Sequence, residues 1–128
     1  ELLAAALLDM ELHNLTDTEN LNVVAFEKET MDKLGLIPEI APRYRATYFS
    51  HIIGGYAAGY YSYLWAEVLD TDAFEAFKEH GVFDKNTADS FRKNILEKGG
   101  TEDPMTLYRG FRGADPSLEP LLKNRGLK

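Results

Sequence analysis

The stretch "HIIGGYAAGYYSYLWAEVLDTDAFEAFK", residues 51–78, predicts the longest helix of the chain and has its most unusual composition. Its first fifteen residues contain one histidine, three glycines, four tyrosines and one tryptophan. Gly54 and Gly55 interrupt whatever precedes them, and helical character then runs from residue 56 to about residue 78. An ordinary helix needs neither so many phenols nor so much glycine, so the stretch also predicts a site.

A helical wheel at about 100° per residue places Tyr56, Tyr60 and Tyr63 on one face, and Glu67 extends that stripe. A separate face is the predicted core face of this helix, and it consists of Ala57, Tyr61, Leu64, Trp65 and Val68.

Two interpretations of the tyrosine stripe remain open from periodicity. Aromatic stripes usually pack in a core, where a tyrosine buries its ring and its hydroxyl finds a partner. The glycine pair beside the stripe favours a ligand site instead, because glycine lets a backbone bend or approach a ligand. A tyrosine hydroxyl is a neutral donor that suits a peptide backbone or a developing oxyanion. His51, next to the glycines, is a second candidate, although a lone histidine is more often structural.

The remaining segments predict a mostly α-helical fold. Residues 1–14 read as a helix with an apolar stripe of Leu3, Leu7 and Met10, and residues 23–35 as a second helix stopped at Gly35. Residues 45–53 favour a short strand or an extended loop, and a helix end there is an alternative. Three further helices are predicted. The first is capped by Asn86 or Thr87 and stops at Gly99–Gly100. The second starts at Asp103–Pro104, and the third starts at Asp115–Pro116 or Ser117 and stops at Gly126.

Composition narrows the classes of function. The chain has 128 residues, 14 basic and 21 acidic, which leaves a formal charge of −7 and disfavours binding to nucleic acid or to an anionic membrane. The absence of cysteine excludes disulfides and thiolate metal sites. Three histidines are present without metal-ligand spacing, and His13 and His80 read as helix-end residues.

Two long segments then carry a family resemblance, "SHIIGGYAAGYYSYLWAEVLDTDAFEAFKEHGVFD" and "FRKNILEKGGTEDPMTLYRGFRGADPSLEPLLKNRGL". They resemble the C-terminal segment of the thimet-oligopeptidase family of zinc metallopeptidases, in particular its bacterial peptidyl-dipeptidase branch. The likeness covers residues 43–128, and "ALLDMELHNL" resembles the preceding helix less specifically. The resemblance implies that residues 1–128 are a single partial domain: the C-terminal part of the helical, zincin-like catalytic domain of a longer cytoplasmic peptidase.

The resemblance also implies roles for individual residues. In the family, His-Glu-x-x-His and a downstream Glu bind zinc upstream of this segment, so a zinc ion is expected in the full-length protein and no catalytic metal site in this chain. His51 would contact the substrate, and Tyr63 would hydrogen-bond the carbonyl oxygen as it becomes an oxyanion. Tyr56 would close over the peptide with Tyr60 assisting. Gly54 and Gly55 would leave room for the extended peptide.

Two hypotheses of function follow. The first is the substrate-binding C-terminal part of a zinc metallopeptidase that hydrolyses short peptides and releases C-terminal dipeptides. The second is a stand-alone helical interaction module without activity. Under the first hypothesis the chain alone is expected to be inactive. Its partners would be short peptides and the missing N-terminal part of the same protein. The isolated chain is expected to expose apolar surface and to self-associate.

Overall fold

The computed structural model describes residues 1–128 and contains six α-helices and no strand. The helices are α1 (Leu2–His13), α2 (Val23–Lys33), α3 (Ser62–His80), α4 (Lys85–Phe91), α5 (Pro104–Arg112) and α6 (Glu119–Asn124). The prediction of a mostly α-helical chain is confirmed. No helix combines the length and the apolar character that a bilayer crossing requires. The chain forms two compact units, residues 1–64 and residues 65–128.

The core of the first unit forms against the alanines of α1. Ala5 and Ala6 are buried together with Phe49, because small side chains let the aromatic ring approach the helix closely. The predicted apolar stripe on this helix is not the buried face, since Leu3 and Met10 are exposed. The buried face of α1 consists of its alanines together with Leu8, and the rest of the unit covers that face.

A buried carboxylate connects α2 to the segment that follows it. Asn22 caps the start of α2. Gly35 lies just beyond its end with a φ of +67°, and this stop is the one that the sequence predicted. Glu27 on α2 is buried, accepts a hydrogen bond from the amide of Ala46 at 2.7 Å, and is paired with Arg45. These contacts tie residues 45–46 to α2.

Residues 45–53 form no strand. They contain two short 3₁₀ turns, Ala46–Tyr48 and Ser50–Ile53. The second turn presents His51 and buries Ile52, while Phe49 between the turns points into the core. The β-branched and aromatic residues that favoured a strand are therefore used as core contacts of a compact turn, because no neighbouring strand exists to pair with them.

The long helix begins later than its periodicity predicted. Instead of starting at residue 56, α3 starts at Ser62, and residues 54–61 form a series of turns that we call the glycine loop. Local hydrogen bonds hold these turns, including the amide of Ala57 to Gly54 O at 3.1 Å and the amide of Gly59 to Tyr56 O at 2.9 Å. The wheel angles assigned to residues 56–61 therefore do not describe their directions.

The predicted core face of this helix is accordingly wrong in part. Val68 is buried as expected, but Tyr61 and Trp65 are about half exposed. Tyr60, which the wheel placed outside the core face, is buried in the core with Phe49. Residues 54–61 are not helical, so they share no regular helix face with α3, and the geometry of the turns decides which of their side chains are buried.

Capping in the second unit follows the predicted chemistry with one shift in position. The cap of α4 is Asp84, whose Oδ2 accepts from the amide of Thr87 at 2.7 Å, and not Asn86 or Thr87. A π-helical turn, Arg92–Leu96, continues α4 towards the Gly99–Gly100 stop. An aspartate at this position is the stronger cap because its ionised side chain also complements the positive end of the helix.

The two Asp-Pro segments behave differently. Asp103 caps α5 as predicted, accepting from the amide of Thr106 at 2.9 Å with Pro104 at the first helical position. In contrast, α6 begins at Glu119, beyond the predicted start at Asp115–Pro116 or Ser117. Asp115 is paired with Arg109 instead, and Ser117 accepts from the amide of Glu119 at 3.2 Å.

Polar and aromatic contacts join α3 to α5 within the second unit. Phe77 on α3 and Phe111 on α5 have ring centroids 6.3 Å apart, and Phe91 at the end of α4 packs edge to face on Phe111 at 5.1 Å. Tyr108 on α5 donates a 2.5 Å hydrogen bond to the buried carboxylate of Asp72 on α3. Arg112 pairs with Glu79 at 2.7 Å and holds the pKa of that carboxyl below its usual value. Burial, and secondly the bond to Asp72, raises the pKa of Tyr108.

Replacing Tyr108 by phenylalanine is expected to lower the free energy of unfolding by about 1–3 kcal/mol, because Asp72 stays buried without its hydrogen-bond donor. Urea unfolding at neutral pH measures the loss. Tyr48→Phe, at an exposed tyrosine, is the control and should change little. A Tyr108→Phe variant as stable as the control would contradict the role of this bond.

The same tyrosine makes stability depend on alkaline pH. Because its folded-state pKa is raised, the folded protein keeps a proton that the unfolded chain releases near the ordinary tyrosine pKa of about 10. The stabilisation is complete below that pH and is lost as the pH rises above it. Tyr108→Phe should therefore lose less stability between neutral pH and about pH 10.5 than the wild type does.

Candidate functional site

Three tyrosines that the sequence predicted as site residues lie around the predicted histidine, His51. The His51 ring lies 5.6 Å from the ring of Tyr60, 5.8 Å from that of Tyr56 and 6.5 Å from that of Tyr63, measured between ring centroids. We call these four residues the His–Tyr cluster. They come from three neighbouring elements of the first unit: the second 3₁₀ turn, the glycine loop and the first turn of α3.

The cluster has an exposed layer and a buried layer. Tyr56 and Tyr63 are 42% and 38% exposed, and their rings stack with centroids 5.3 Å apart and an interplanar angle of 21°. Tyr60 is only 2% exposed and packs edge to face on Phe49 at 4.9 Å. The prediction that all three tyrosines leave the core face is therefore wrong for Tyr60. Its predicted contact with a substrate stays a prediction.

The exposed phenols remain neutral donors. No backbone group accepts a hydrogen bond from the hydroxyl of Tyr56 or Tyr63. The phenol of Tyr56 and partial loss of solvent raise the pKa of Tyr63, and burial raises the pKa of Tyr60. A phenol with an ordinary pKa of about 10 is protonated at neutral pH, and the half-exposed hydroxyl of Tyr63 can donate to an oxygen that gains negative charge.

His51 contributes an unused polar atom to the cluster. Its Nδ1 is buried and has no hydrogen-bond partner in the protein. Buried polar atoms in folded proteins are nearly always paired, and an exception is a candidate for a ligand contact or for catalysis. The His51 ring is held by stacking against Tyr60 and by the edge of Tyr44 at 5.1 Å, so its orientation is defined without a hydrogen bond.

Open space lies beside the glycines of the cluster. A Cβ atom built at Gly54 or Gly55 would meet no atom within 4 Å. The one residue of the glycine loop with a left-handed conformation is Ala58, with a φ of +53°. The structure thus explains the glycine pair by access and not by a local backbone requirement. The predicted use of that space by a peptide stays a prediction.

Sequence reasoning missed two residues that shape the cluster. Tyr44 stacks on Phe49 at 5.1 Å and lies in a proline-containing connection, where no periodicity marks a buried ring. Asp9 lies on α1 and accepts hydrogen bonds from two amides of the glycine loop, those of Ala58 and Tyr60. Neither contact has a local sequence signal, since the partners are far apart in the chain.

The other histidines lie outside the cluster, at helix ends as predicted. The Nδ1 of His13 is 2.9 Å from Asp9 O, and that of His80 is 2.9 Å from Ala76 O. No three His, Asp or Glu side chains in residues 1–128 converge in a way that could hold a metal ion. The zinc ion implied by the resemblance therefore does not fit the residues of this chain. The chemistry that the chain itself offers is hydrogen bonding by phenols and an imidazole.

Comparison with known proteins decides the family. The sequence model of peptidase family M3 matches residues 1–127. The chain belongs to peptidase family M3. Its resemblance to the thimet-oligopeptidase family, read from residues 50–84 and 91–127, is confirmed. A thimet-like oligopeptidase of Dictyostelium discoideum is 30% identical over 122 residues, which cover 95% of this M3 chain and 18% of that protein.

Two bacterial M3 relatives are more similar. Dipeptidyl carboxypeptidase of Escherichia coli (strain K12) is 46% identical over 134 residues, which cover 99% of the chain and 19% of the relative. Oligopeptidase A of Haemophilus influenzae is 44% identical over 121 residues, covering 93% of the chain and 18% of the relative. The M3 chain thus spans less than a fifth of the length of the curated relatives it matches.

Proposed function

We propose that this chain is the substrate-binding C-terminal part of the catalytic domain of a zinc metallopeptidase that hydrolyses short peptides. Zinc, in this proposal, is held by residues outside the 128 present here. The product is a dipeptide released from the C-terminus, and the protein works in the cytoplasm. Membership of family M3 and the names of the bacterial relatives support the proposal.

One observation carries the proposal. The rings of Tyr56 and Tyr63 are stacked and half exposed, and they lie beside open space and next to His51, whose Nδ1 has no hydrogen-bond partner. Exposed aromatic rings next to accessible glycines suit an extended peptide, whose backbone needs donors and whose side chains need apolar contact. Tyr56 and Tyr63 are 42% and 38% exposed, so a peptide can reach both rings. The interaction-module alternative has no comparable observation in its favour.

In the proposed reaction, water attacks the scissile carbonyl and its oxygen gains negative charge. The Tyr63 hydroxyl donates a hydrogen bond to that oxygen and stabilises the tetrahedral intermediate without adding a charge. His51 contacts the peptide backbone next to the scissile bond. Tyr56 closes over the bound peptide, and Tyr60 lies against the rings of His51 and Tyr63.

Hydrolysis of defined peptides by the complete protein tests the proposal. A peptide with a free C-terminus should lose successive C-terminal dipeptides, detected by mass spectrometry. The same peptide with an amidated C-terminus is the control and should be cut slowly. Cleavage at internal bonds regardless of the C-terminus would contradict dipeptide release. Hydrolysis by the isolated 128-residue chain with added zinc would contradict the proposal that residues outside this chain hold the zinc ion.

The isolated chain should also self-associate. Ile53 and Phe83 are almost fully exposed, and the second unit has an apolar cavity of about 390 Å³ lined by residues such as Leu107 and Phe111. Exposed apolar surface of this kind favours association in water. Sedimentation velocity should show a weight-average mass that rises with concentration. A constant mass equal to that of one chain at high concentration would contradict this prediction.

A further inference from the structure

The glycine loop donates its long-range hydrogen bonds to a single side chain on α1. The Oδ1 atom of Asp9 accepts from the amide of Ala58 at 3.0 Å, and its Oδ2 atom accepts from the amide of Tyr60 at 2.9 Å. All other hydrogen bonds of the loop are local turns between its own backbone and the residues beside it. The two Asp9 contacts therefore supply the long-range hydrogen bonds that hold the loop to the rest of the first unit, beside the packing of Tyr60 on Phe49.

Asp9 is a costly residue to bury. Its side chain is fully buried, and a carboxylate removed from water needs strong partners. Two backbone amides and the His13 ring, whose Nδ1 is 2.8 Å from Asp9 Oδ1, supply them. A buried carboxylate with both oxygens bonded to one loop holds the loop in one geometry more firmly than neutral contacts would.

The backbone between the two bonded amides is itself strained. Ala58 has a left-handed φ of +53°, which a residue with a Cβ rarely adopts. Such conformations persist where surrounding contacts impose them, and they cluster at functional sites. Asp9 is the contact that imposes this one, because it binds the amide of Ala58 itself.

The loop is consequently divided into a held part and a free part. Residues 58–60 are bound by Asp9, whereas Gly54 and Gly55 have open space around them. Tyr56 lies in the free part and stacks on Tyr63 of α3. Tyr56 can thus move over a peptide with residues 58–60 as the pivot, while Tyr60 and the start of α3 stay in place.

We propose that Asp9 is a positioning residue for substrate binding: its buried carboxylate anchors residues 58–60, so that Tyr56 closes over the peptide from a defined pivot. This inference rests on the proposed function. Loosening the anchor makes the loop disordered before the substrate arrives, and binding must then order it. The cost falls on substrate binding and not on the oxyanion contact, since Tyr63 lies on α3.

The test compares Asp9→Asn with Glu11→Gln, a control at an exposed acid on the same helix, in the complete protein. The amide group of Asn can accept from one loop amide but presents a donor to the other. Asp9→Asn should raise KM about tenfold with kcat changed less than about threefold, whereas Glu11→Gln should leave both unchanged. A variant that only unfolded part of the protein would lower apparent kcat at constant KM, and that result would overturn the proposal.

Hydrogen exchange gives a readout independent of activity. In the complete protein, Asp9→Asn should speed amide exchange in residues 57–61 by at least about tenfold, and exchange in residues 65–80 should be unchanged. Unchanged amide exchange in residues 57–61 would overturn the proposal that Asp9 anchors the loop. If the wild type hydrolyses no peptide, the proposed function fails, and exchange still decides whether Asp9 holds the loop.

His13→Gln is a second variant should Asp9→Asn fail to fold. The His13 side chain is 34% exposed, so its replacement disturbs the core little. It removes the ring that lies against the Asp9 carboxylate, and KM and loop exchange should rise in the same direction by about threefold. Wild-type KM and wild-type exchange in His13→Gln, with no folded Asp9→Asn variant, would count against the proposal.

Discussion

Replacing Tyr63 by phenylalanine in the complete protein is expected to lower kcat by about 10²–10³-fold with a much smaller change in KM. The Tyr63 side chain is 38% exposed, and no backbone group accepts from its hydroxyl. A donor that acts mainly on the oxyanion stabilises the transition state more than the bound substrate, so its loss appears in kcat. Steady-state kinetics on a short fluorogenic peptide measure both constants.

The neighbouring Tyr61→Phe variant is the matched control. Tyr61 is also about half exposed, but its ring lies outside the His–Tyr cluster. It should keep wild-type kcat and KM. Equal losses in the two variants would show a general effect on the loop, and full kcat in Tyr63→Phe would remove Tyr63 from the proposed chemistry.

The second large effect is on stability, at the ring beneath the cluster. Phe49 is 1% exposed and packs between Tyr44 and Tyr60 against the alanines of α1. Phe49→Ala is expected to lower the free energy of unfolding by about 3–5 kcal/mol, because the surrounding side chains cannot fill the cavity completely. Urea unfolding of the protein, followed by far-UV circular dichroism, measures this loss.

Tyr48→Ala, one residue earlier, provides the control for Phe49→Ala. Tyr48 is 61% exposed, so its truncation should change stability by no more than about 0.5 kcal/mol. Phe49→Ala should also impair peptide hydrolysis, since Tyr60 loses the ring on which it packs. A loss below about 1 kcal/mol would show that the first unit closes around the cavity and that Phe49 is not central to its core.

Features that depend on neighbouring residues could be predicted from the sequence. The Asp103–Pro104 start of α5 and the Gly35 stop of α2 were predicted because a cap involves only a few consecutive residues. The residues of the His–Tyr cluster were also identified from the sequence, through the resemblance and the spacing of the tyrosines. Their roles in catalysis remain predictions, to be tested by the variants above.

Features that depend on residues far apart in the chain could not be predicted from the sequence. The start of α3 at Ser62 follows from the turns of the glycine loop, and Asp9 holds those turns from α1. Likewise, Tyr60 is buried because Phe49 and the alanines of α1 lie against it. A helical wheel contains neither partner, so it assigned Tyr60 to the face that Tyr56 and Tyr63 share.

The sequence alone therefore determined the helical class, some of the helix ends and the chemical groups of the candidate site, because propensity, capping and residue type are local properties. Only the tertiary structure decided which phenols face solvent and which one lies beneath, and where the loop is anchored. Burial and long-range hydrogen bonds are made by partners far apart in the chain, 51 residues in the contact of Asp9 with the Tyr60 amide, and no local pattern encodes them.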